Sequence, residues 1–206
     1  MIRMPKVVPH YKEQARARIV EAALRVFAEK GYHEATMQDV ADKLQVSEGT
    51  IYLYFRGKRE LFKAISDLGE HDIAEGLSLA MASDDPVKSF FDLATDLYEQ
   101  YESISGLLVE LLAEASRDAS LRRIVRSNFD TDRETMQKFL MDLRKRGRIG
   151  TEADIDSISM AILCLLYGYA ITRLLGVGKS EAKGACGEAM RVIIERTLKS
   201  SQRLRA

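Results

Sequence analysis

Side chains between residues 36 and 58 are the ones in this sequence best suited to chemistry, and that chemistry is hydrogen bonding to a polyanion. Hydroxyl and amine groups donate hydrogen bonds to phosphate oxygens, and a glycine lets the backbone approach a ligand closely. The candidate binding residues are Thr36, Ser47, Glu48, Gly49, Thr50, Tyr52, Leu53, Tyr54 and Lys58.

These residues divide into two groups by what each can contact on a nucleic acid. Thr36, Lys58 and the two tyrosines suit phosphates, which fix the register of a protein on the nucleic-acid backbone. Residues 48–50 suit base edges, because a carboxylate accepts a hydrogen bond from cytosine and a threonine methyl packs on thymine. Leu53 is less typical of a residue that reads bases.

The pattern around these residues predicts two short helices joined by a tight turn. Thr36 followed by Asp39 is a capping-box start, and Ser47 can cap a second helix that runs to Phe55. Residues 44–46 make the short link of a helix-turn-helix. The second helix is too short to be stable alone, but its partner helix can hold its first residues in a major groove about 12 Å wide. An ordinary helical hairpin with surface tyrosines is the alternative.

Catalytic and metal-binding chemistry finds no support in the sequence. His10, His33 and His71 are far apart, and none has a metal-ligand partner three or four residues away. Cys164 and Cys186 form no CxxC motif, and no P-loop, dinucleotide fingerprint or nucleophile motif occurs. We therefore expect no metal, no cofactor and no enzymatic activity, in a protein of the reducing cytoplasm.

Charge is unevenly distributed along the chain although its total is neutral. The 206 residues carry 31 basic and 31 acidic side chains, and 46% of the residues are hydrophobic. Residues 1–66 hold 12 Lys and Arg against 8 Asp and Glu, whereas residues 67–206 hold 19 against 23. This division suggests a polyanion-binding domain at 1–66 and a second domain at 67–206, although chance alone can produce such an excess.

Apolar spacing predicts an all-α fold of about nine helices. Apolar residues recur at intervals of three and four, and no strand-like alternation is sustained. The most apolar stretch, Ile158–Ile171, is expected to be a buried helix too short to span a bilayer, so we expect no membrane partner. The expected helices are about 15–30, 36–44, 47–55, 58–81, 86–102, 106–115, 121–145, 151–175 and 180–199.

The segment from Ile19 to Leu61 resembles the N-terminal domain of the tetracycline-repressor (TetR) family of transcriptional regulators. The match has no gap and includes Gly31-Tyr32, Thr36, Val40-Ala41, Val46-Ser47, Gly49-Thr50, Tyr52, Phe55 and Lys58. The resemblance implies an N-terminal three-helix helix-turn-helix DNA-binding domain and a C-terminal helical ligand-binding and dimerisation domain. It also implies contacts with double-stranded operator DNA at Thr36, Thr50, Tyr52, Tyr54 and Lys58.

The helix expected from about Glu152 to Leu175 is apolar on more than one face, so it must be covered on both sides. It is either the central helix of a monomer or part of a seam with a second copy. The TetR resemblance implies a homodimer joined by a four-helix seam, whose twofold symmetry would match a palindromic operator. The expected interface residues are Ile158, Ile162, Leu165, Leu166, Tyr169, Gly184, Gly187, Met190 and Ile194.

In the TetR family, the helices between the DNA-binding domain and this seam enclose an apolar ligand pocket. The pocket residues expected here, each of which could equally be plain core, are Phe90, Phe91, Tyr98, Tyr101, Leu108, Leu112, Asn128, Phe129, Asp132, Arg133, Met136 and Tyr167. A small, largely apolar effector is expected, with a fatty acid or acyl-CoA, an aromatic compound and a cationic drug left open. The predicted function is a repressor that the effector releases from DNA by a population shift. The alternative is a helical dimeric module that binds small molecules without binding DNA.

Overall fold

The computed structural model describes the backbone of residues 9–100 and 102–203, and the side chains of residues 12–68, 71, 73–96 and 106–194. This part of the chain forms nine α-helices and no strand, which confirms the all-α prediction. The helices are α1 (Pro9–Lys30), α2 (Met37–Leu44), α3 (Glu48–Tyr52), α4 (Lys58–Ala82), α5 (Pro86–Gln100), α6 (Glu102–Ala115), α7 (Ala119–Lys145), α8 (Ile155–Leu174) and α9 (Lys179–Arg203).

The chain divides into two compact units between Gly69 and Glu70, within helix α4. The first unit has its own apolar core, in which α1, α2 and α3 bury one face each. Its fully buried side chains include Phe27, Val40, Ile51, Phe55 and Leu61. The ring of Tyr32 lies between those of Phe27 and Phe62, at centroid distances of 5.5 and 5.7 Å in edge-on geometry. This core holds the two short helices that cannot be stable alone.

The second unit is built around α8, which packs against α7 and α9. Its core contains the rings of Phe90 and Phe139, with centroids 5.0 Å apart, and the buried side chains of Leu140 and Ile162. Close packing of α4 against α5 depends on Gly76, because a Cβ there would lie 2.0 Å from Cδ2 of Leu93. Such a separation is far inside van der Waals contact, so only glycine fits without displacement.

Several helix boundaries differ from the sequence prediction. Helix α8 begins at Ile155 and not near residue 151, and its N-cap is Asp154, whose side chain accepts from the backbone N–H of Ser157. Helix α6 begins at Glu102, before the expected start at Gly106, and α3 ends at Tyr52 instead of Phe55. After α3, the N–H groups of Tyr54 and Phe55 both donate to the carbonyl of Ile51 and close its last turn.

The expectation that the apolar stretch of α8 is too short to span a bilayer is wrong. The helix has 20 residues, and its most apolar window has a mean hydropathy of 1.6, so length and composition alone would allow a span. The core helix of a globular protein satisfies the same criteria. Residues Ile155, Ile162, Leu166 and Tyr169 are buried inside the second unit, which is what the core-helix interpretation requires.

Most of the residues assigned to a dimer interface from the sequence lie inside the subunit. Six of them are buried in its own core, namely Ile158, Ile162, Leu166, Tyr169, Met190 and Ile194. Gly187 faces α5, because a Cβ there would lie 3.1 Å from Cε1 of Phe91, while Leu165 is half-buried and Gly184 is exposed. A second copy would therefore meet different residues of α8 and α9, since hydrophobic spacing marks a covered helix without telling which neighbour covers each face.

Candidate nucleic-acid interface

Helix α2 starts with the capping box that the sequence predicted. The backbone N–H of Asp39 donates to Oγ1 of Thr36 at 3.1 Å, and the backbone N–H of Thr36 donates to Oδ2 of Asp39 at 2.9 Å. The ammonium of Lys30 also donates to Asp39, and together with the Thr36 bonds it lowers the pKa of that carboxyl to about 2. Thr36 is thereby fixed at the N-terminus of α2, where helix N–H groups favour an anion.

A left-handed residue makes the turn between α2 and α3. Gln45 has φ 56° and ψ 41°, and its N–H donates to the carbonyl of Asp42 at 3.0 Å. The N–H of Val46 donates to the carbonyl of Ala41 at 3.0 Å, so α2 closes with satisfied carbonyls. A non-glycine residue in this region costs about 1–2 kcal/mol, which the buried Ala41 and Ile51 on either side of the turn offset. The turn fixes the direction in which α3 leaves α2.

Helix α3 is short and is held by one cap and one buried face. Oγ of Ser47 accepts from the N–H of Thr50 at 3.3 Å and lies 2.8 Å from Oγ1 of Thr50. Ile51 is fully buried and Phe55 follows it into the core. The opposite edge of the segment is open to solvent at Gly49, Tyr52 and Leu53, while Glu48, Thr50 and Tyr54 are half-buried. The structure therefore brings all six residues 48–50 and 52–54 together around one short helix.

Leu53 stands out on this edge because 82% of its surface is exposed, against 50% for Tyr52. Single exposed leucines are common on protein surfaces, so this exposure does not by itself mark a contact. Leu53 is less typical of a base-reading residue, but its position on the open edge makes it available to a partner.

Lys58 lies at the start of α4 and is anchored to the loop that precedes α2. Its ammonium donates to the carbonyls of His33 at 2.8 Å and Ala35 at 3.0 Å, and it lies 4.7 Å from the ring centroid of Tyr32. Because Ala35 immediately precedes Thr36, these bonds hold a positive charge beside the N-terminus of α2. Lys58 thus combines a structural role with the position expected of a phosphate contact.

Sequence patterns did not single out Arg16 on α1, which the structure places against Phe55, just after α3. Its guanidinium carbon lies 4.3 Å from the ring centroid of Phe55. The only signal in the sequence was the basic excess of residues 1–66, which does not distinguish one arginine from another.

The residues expected to line a ligand pocket differ in burial where their side chains are described. Phe90, Phe91 and Met136 belong to the buried core of the second unit, whereas Leu112 is exposed and Leu108 is half-buried. The side chains of Tyr98 and Tyr101 lie outside the described residues.

Another part of the predicted pocket lies along α7 and α8. The rings of Phe129 and Tyr167 are 6.0 Å apart, and Asn128, Asp132 and Arg133 are half-buried nearby in sequence on α7. Nη2 of Arg133 lies 3.3 Å from Oδ2 of Asp156, while its Nε is buried and has no hydrogen-bond partner among the residues whose side chains are described. An unpaired buried N–H is costly, so Nε of Arg133 is able to donate a hydrogen bond to a further partner.

A separate open hollow of about 450 Å³ lies along α7. None of the predicted pocket residues with described side chains lines it. Its lining residues are Arg122, Arg123, Arg126, Ser127, Asp130, Thr131 and Glu134. Among the residues whose side chains are described, no group of three His, Cys, Asp or Glu residues could hold a metal ion.

Comparison with known proteins identifies the first unit. Residues 19–65 match the family model of bacterial regulatory proteins of the tetR family. The chain is 30% identical over 143 residues to YfiR, an uncharacterized HTH-type transcriptional regulator of Bacillus subtilis, covering 66% of this chain and 68% of that protein.

The whole fold is shared with solved structures at low sequence identity. The fatty acid degradation regulator FadR of Bacillus halodurans has a TM-score of 0.74 at 18% identity, covering 92% of this chain and 97% of its own. FadR of Bacillus subtilis, solved in complex with stearoyl-CoA, has a TM-score of 0.70 at 19% identity, covering 86% of this chain and 97% of its own.

Proposed function

The chain belongs to the TetR family of bacterial transcriptional regulators, and we propose that it is a repressor that a small, largely apolar effector releases from a palindromic operator. The chain is a DNA-binding transcriptional regulator, and its family is not enzymatic. The proposal concerns the finer points, which are the direction of regulation, the symmetry of the operator, the effector and a cytoplasmic location.

The observation that carries DNA binding is the open edge of α3. Ser47 caps this helix and Ile51 anchors it, so residues 49, 52 and 53 are presented to solvent on a rigid support. Base contacts come from Gly49 and Thr50 at the N-terminal end, and phosphate contacts come from Tyr52, Tyr54, Thr36 and Lys58 in this proposal. A site on helices held by a core positions its side chains more accurately than one on loops.

The exposed apolar face of α8 supports a homodimer in which α8 and α9 meet a second copy. Met160, Ile171, Leu174 and Leu175 expose large apolar surfaces on this helix and its end, and Val192 does so on α9. The four residues of α8 and its end lie on one side of that helix by their spacing, and an apolar stripe of this kind is costly in water unless a partner covers it. A twofold dimer presents two recognition helices, which requires an operator with two related half-sites about 34–36 Å apart, or a multiple of this distance.

Two features support an effector with a long apolar part. The structural neighbours include a regulator of fatty acid degradation and a regulator solved with stearoyl-CoA, although their low identity carries the fold alone. In this chain the Phe129–Tyr167 pair offers an aromatic wall between α7 and α8. We therefore place fatty acids and acyl-CoA thioesters first among candidate effectors.

Release is proposed to follow from differential affinity. An effector that binds the DNA-competent state less tightly than the other state lowers the population able to bind the operator. Reciprocity requires that operator DNA weakens effector binding by the same factor.

Selection of binding sites from a random duplex library tests the DNA-binding part of the proposal. The expected result is enrichment of an inverted repeat with a half-site spacing near one helical turn or a multiple of it. Failure to enrich any sequence, together with tight binding of a fatty acid or acyl-CoA, would favour the small-molecule module that does not bind DNA.

Titration of stearoyl-CoA, oleate and a neutral apolar compound into the protein–duplex complex tests the effector. Release of a fluorescent duplex by at least one of the two lipids, with no release by detergent at the same concentration, is the expected result. If the selected duplex stays bound under every titration, DNA binding stands and the effector proposal fails.

A further inference from the structure

Arg16 of α1 covers one face of the Phe55 ring, and no role in DNA binding has yet been assigned to it. The guanidinium carbon lies 4.3 Å from the ring centroid, which is a stacking distance for a cation on an aromatic face. Phe55 is 1% exposed, whereas Arg16 itself is exposed. The arginine therefore lies on the outside of the first unit, with its position set by a buried ring.

Stacking leaves the hydrogen-bonding groups of the guanidinium available. The N–H donors of arginine point outward in the plane of the group, so a ring against one face does not use them. A guanidinium held in this way also loses less side-chain entropy when it binds a planar or tetrahedral oxyanion than a freely rotating one does. The geometry thus prepares Arg16 for a bidentate contact with an anion.

The position of the Arg16–Phe55 stack indicates which anion the Arg16 guanidinium can reach. Phe55 follows Tyr54, and both N–H groups donate to the carbonyl of Ile51, so the stack lies at the C-terminal end of α3. A helix whose first residues lie in a major groove has sugar–phosphate backbone on both sides of it. Lys12 lies one turn before Arg16 on the same face of α1 and is also exposed, which extends the positive edge.

We propose that Arg16 binds a backbone phosphate of duplex DNA beside the groove that α3 enters, and that Phe55 holds its guanidinium in position for this contact. The inference rests on the proposed function, since it requires α3 to approach a duplex. It adds a contact from α1, near the C-terminal end of α3, to the phosphate contacts proposed for Thr36 and Lys58.

The competing role for Arg16 is purely structural, as a cover for Phe55. Both roles predict that removing the side chain lowers stability, because Phe55 then loses a stacking partner. Only the phosphate contact predicts a change in the salt dependence of DNA binding, because each neutralised phosphate releases counterions.

The test is the slope of log K against log salt for a short mixed-sequence duplex, measured by fluorescence anisotropy between about 50 and 200 mM salt. Arg16→Gln removes the charge while its planar amide can still cover the ring. Arg18→Gln is the matched control, because Arg18 is exposed on the same helix and points about 200° away from Arg16.

Arg16→Gln is expected to reduce the slope by about one unit, Arg18→Gln to leave it unchanged, and Arg16→Lys to restore most of it. An unchanged slope for folded Arg16→Gln overturns the proposal while leaving DNA binding intact. If the wild-type protein binds no duplex at any salt concentration, the proposed function fails instead.

A second measurement on the wild-type protein covers the case in which Arg16→Gln does not fold. The side-chain Nε–H resonances of Arg16 and Arg18 are followed by NMR during addition of the same duplex. A shift of the Arg16 resonance with a static Arg18 resonance supports the contact, and a static Arg16 resonance in the bound complex refutes it.

Discussion

Replacement of Gly76 by alanine tests the packing of α4 on α5, because two physical effects oppose each other there. Gly76 lies inside α4, and glycine in a helix interior is about 1 kcal/mol less favourable than alanine. A new Cβ, however, would lie 2.0 Å from Cδ2, 2.9 Å from Cδ1 and 3.0 Å from Cγ of Leu93. Since Cγ is also crowded, rotation about χ2 alone cannot relieve the overlap, so Leu93 must change its χ1 rotamer or α4 and α5 must move apart.

The magnitude follows from the two terms. Forcing an extra carbon into a packed site costs about 1–3 kcal/mol, which exceeds the gain in helix propensity over most of that range. We therefore expect Gly76→Ala to lower the free energy of unfolding by up to about 2 kcal/mol. Gly106→Ala is the control, because Gly106 is also inside a helix and nothing lies within 4 Å of its new Cβ.

Urea unfolding followed by circular dichroism, at one fixed protein concentration, measures both variants. Both variants gain helix propensity, so this gain cancels when their free energies of unfolding are subtracted. The difference then measures the cost of the overlap with Leu93 and should be about 1–3 kcal/mol. A Leu93→Ala change in the Gly76→Ala background should remove the penalty, giving favourable coupling in a double-mutant cycle. Equal stability of the two glycine variants would refute the packing described for α4 and α5.

Three further predictions concern the first unit. Thr36→Ala should lower the free energy of unfolding by about 1 kcal/mol in urea titrations, and Thr36→Ser should restore it, because the hydroxyl caps α2. An NMR titration should show the pKa of Asp39 lowered to about 2. The ionised Asp39 carboxylate therefore stabilises the fold above pH 4, and this contribution is lost as the pH falls toward 2. A titration midpoint near 4 would contradict the ion pair with Lys30. Lys58→Met should cost about 2 kcal/mol in thermal or urea unfolding, because two carbonyls lose a charged donor, and an unaltered stability would show that those bonds contribute nothing.

Local signals predicted the helix-turn-helix well. The Thr36 and Asp39 pair forms a capping box and Ser47 caps α3, as predicted, and apolar Val40 and Ile51 lie on the buried faces of α2 and α3. Each of these features depends on residues within a few positions of one another. Helix caps and one-sided burial are therefore visible in a single sequence.

Features that join distant residues were missed. The Arg16–Phe55 stack and the Gly76–Leu93 contact connect positions on different helices, and no short-range pattern marks them. Helix α8 shows a related limit of sequence reasoning. Its apolar residues lie on all sides of the helix, so their spacing cannot show which face packs against the core of the same subunit. Burial of Tyr169 in the subunit follows from the tertiary packing alone.

The most direct measurement of the central claim is the affinity of a Gly49→Ala variant for the selected duplex. In the free protein the new methyl would meet only Oγ of Ser47 at 3.9 Å, an ordinary contact, so the variant should fold with wild-type stability or better. On the open edge of α3 that methyl enters the DNA contact, where an overlap of about 1–3 kcal/mol weakens binding roughly 5- to 150-fold. Gly106→Ala should bind as the wild type does. A folded Gly49→Ala variant that binds the selected duplex with wild-type affinity would show that this edge of α3 does not lie against base pairs.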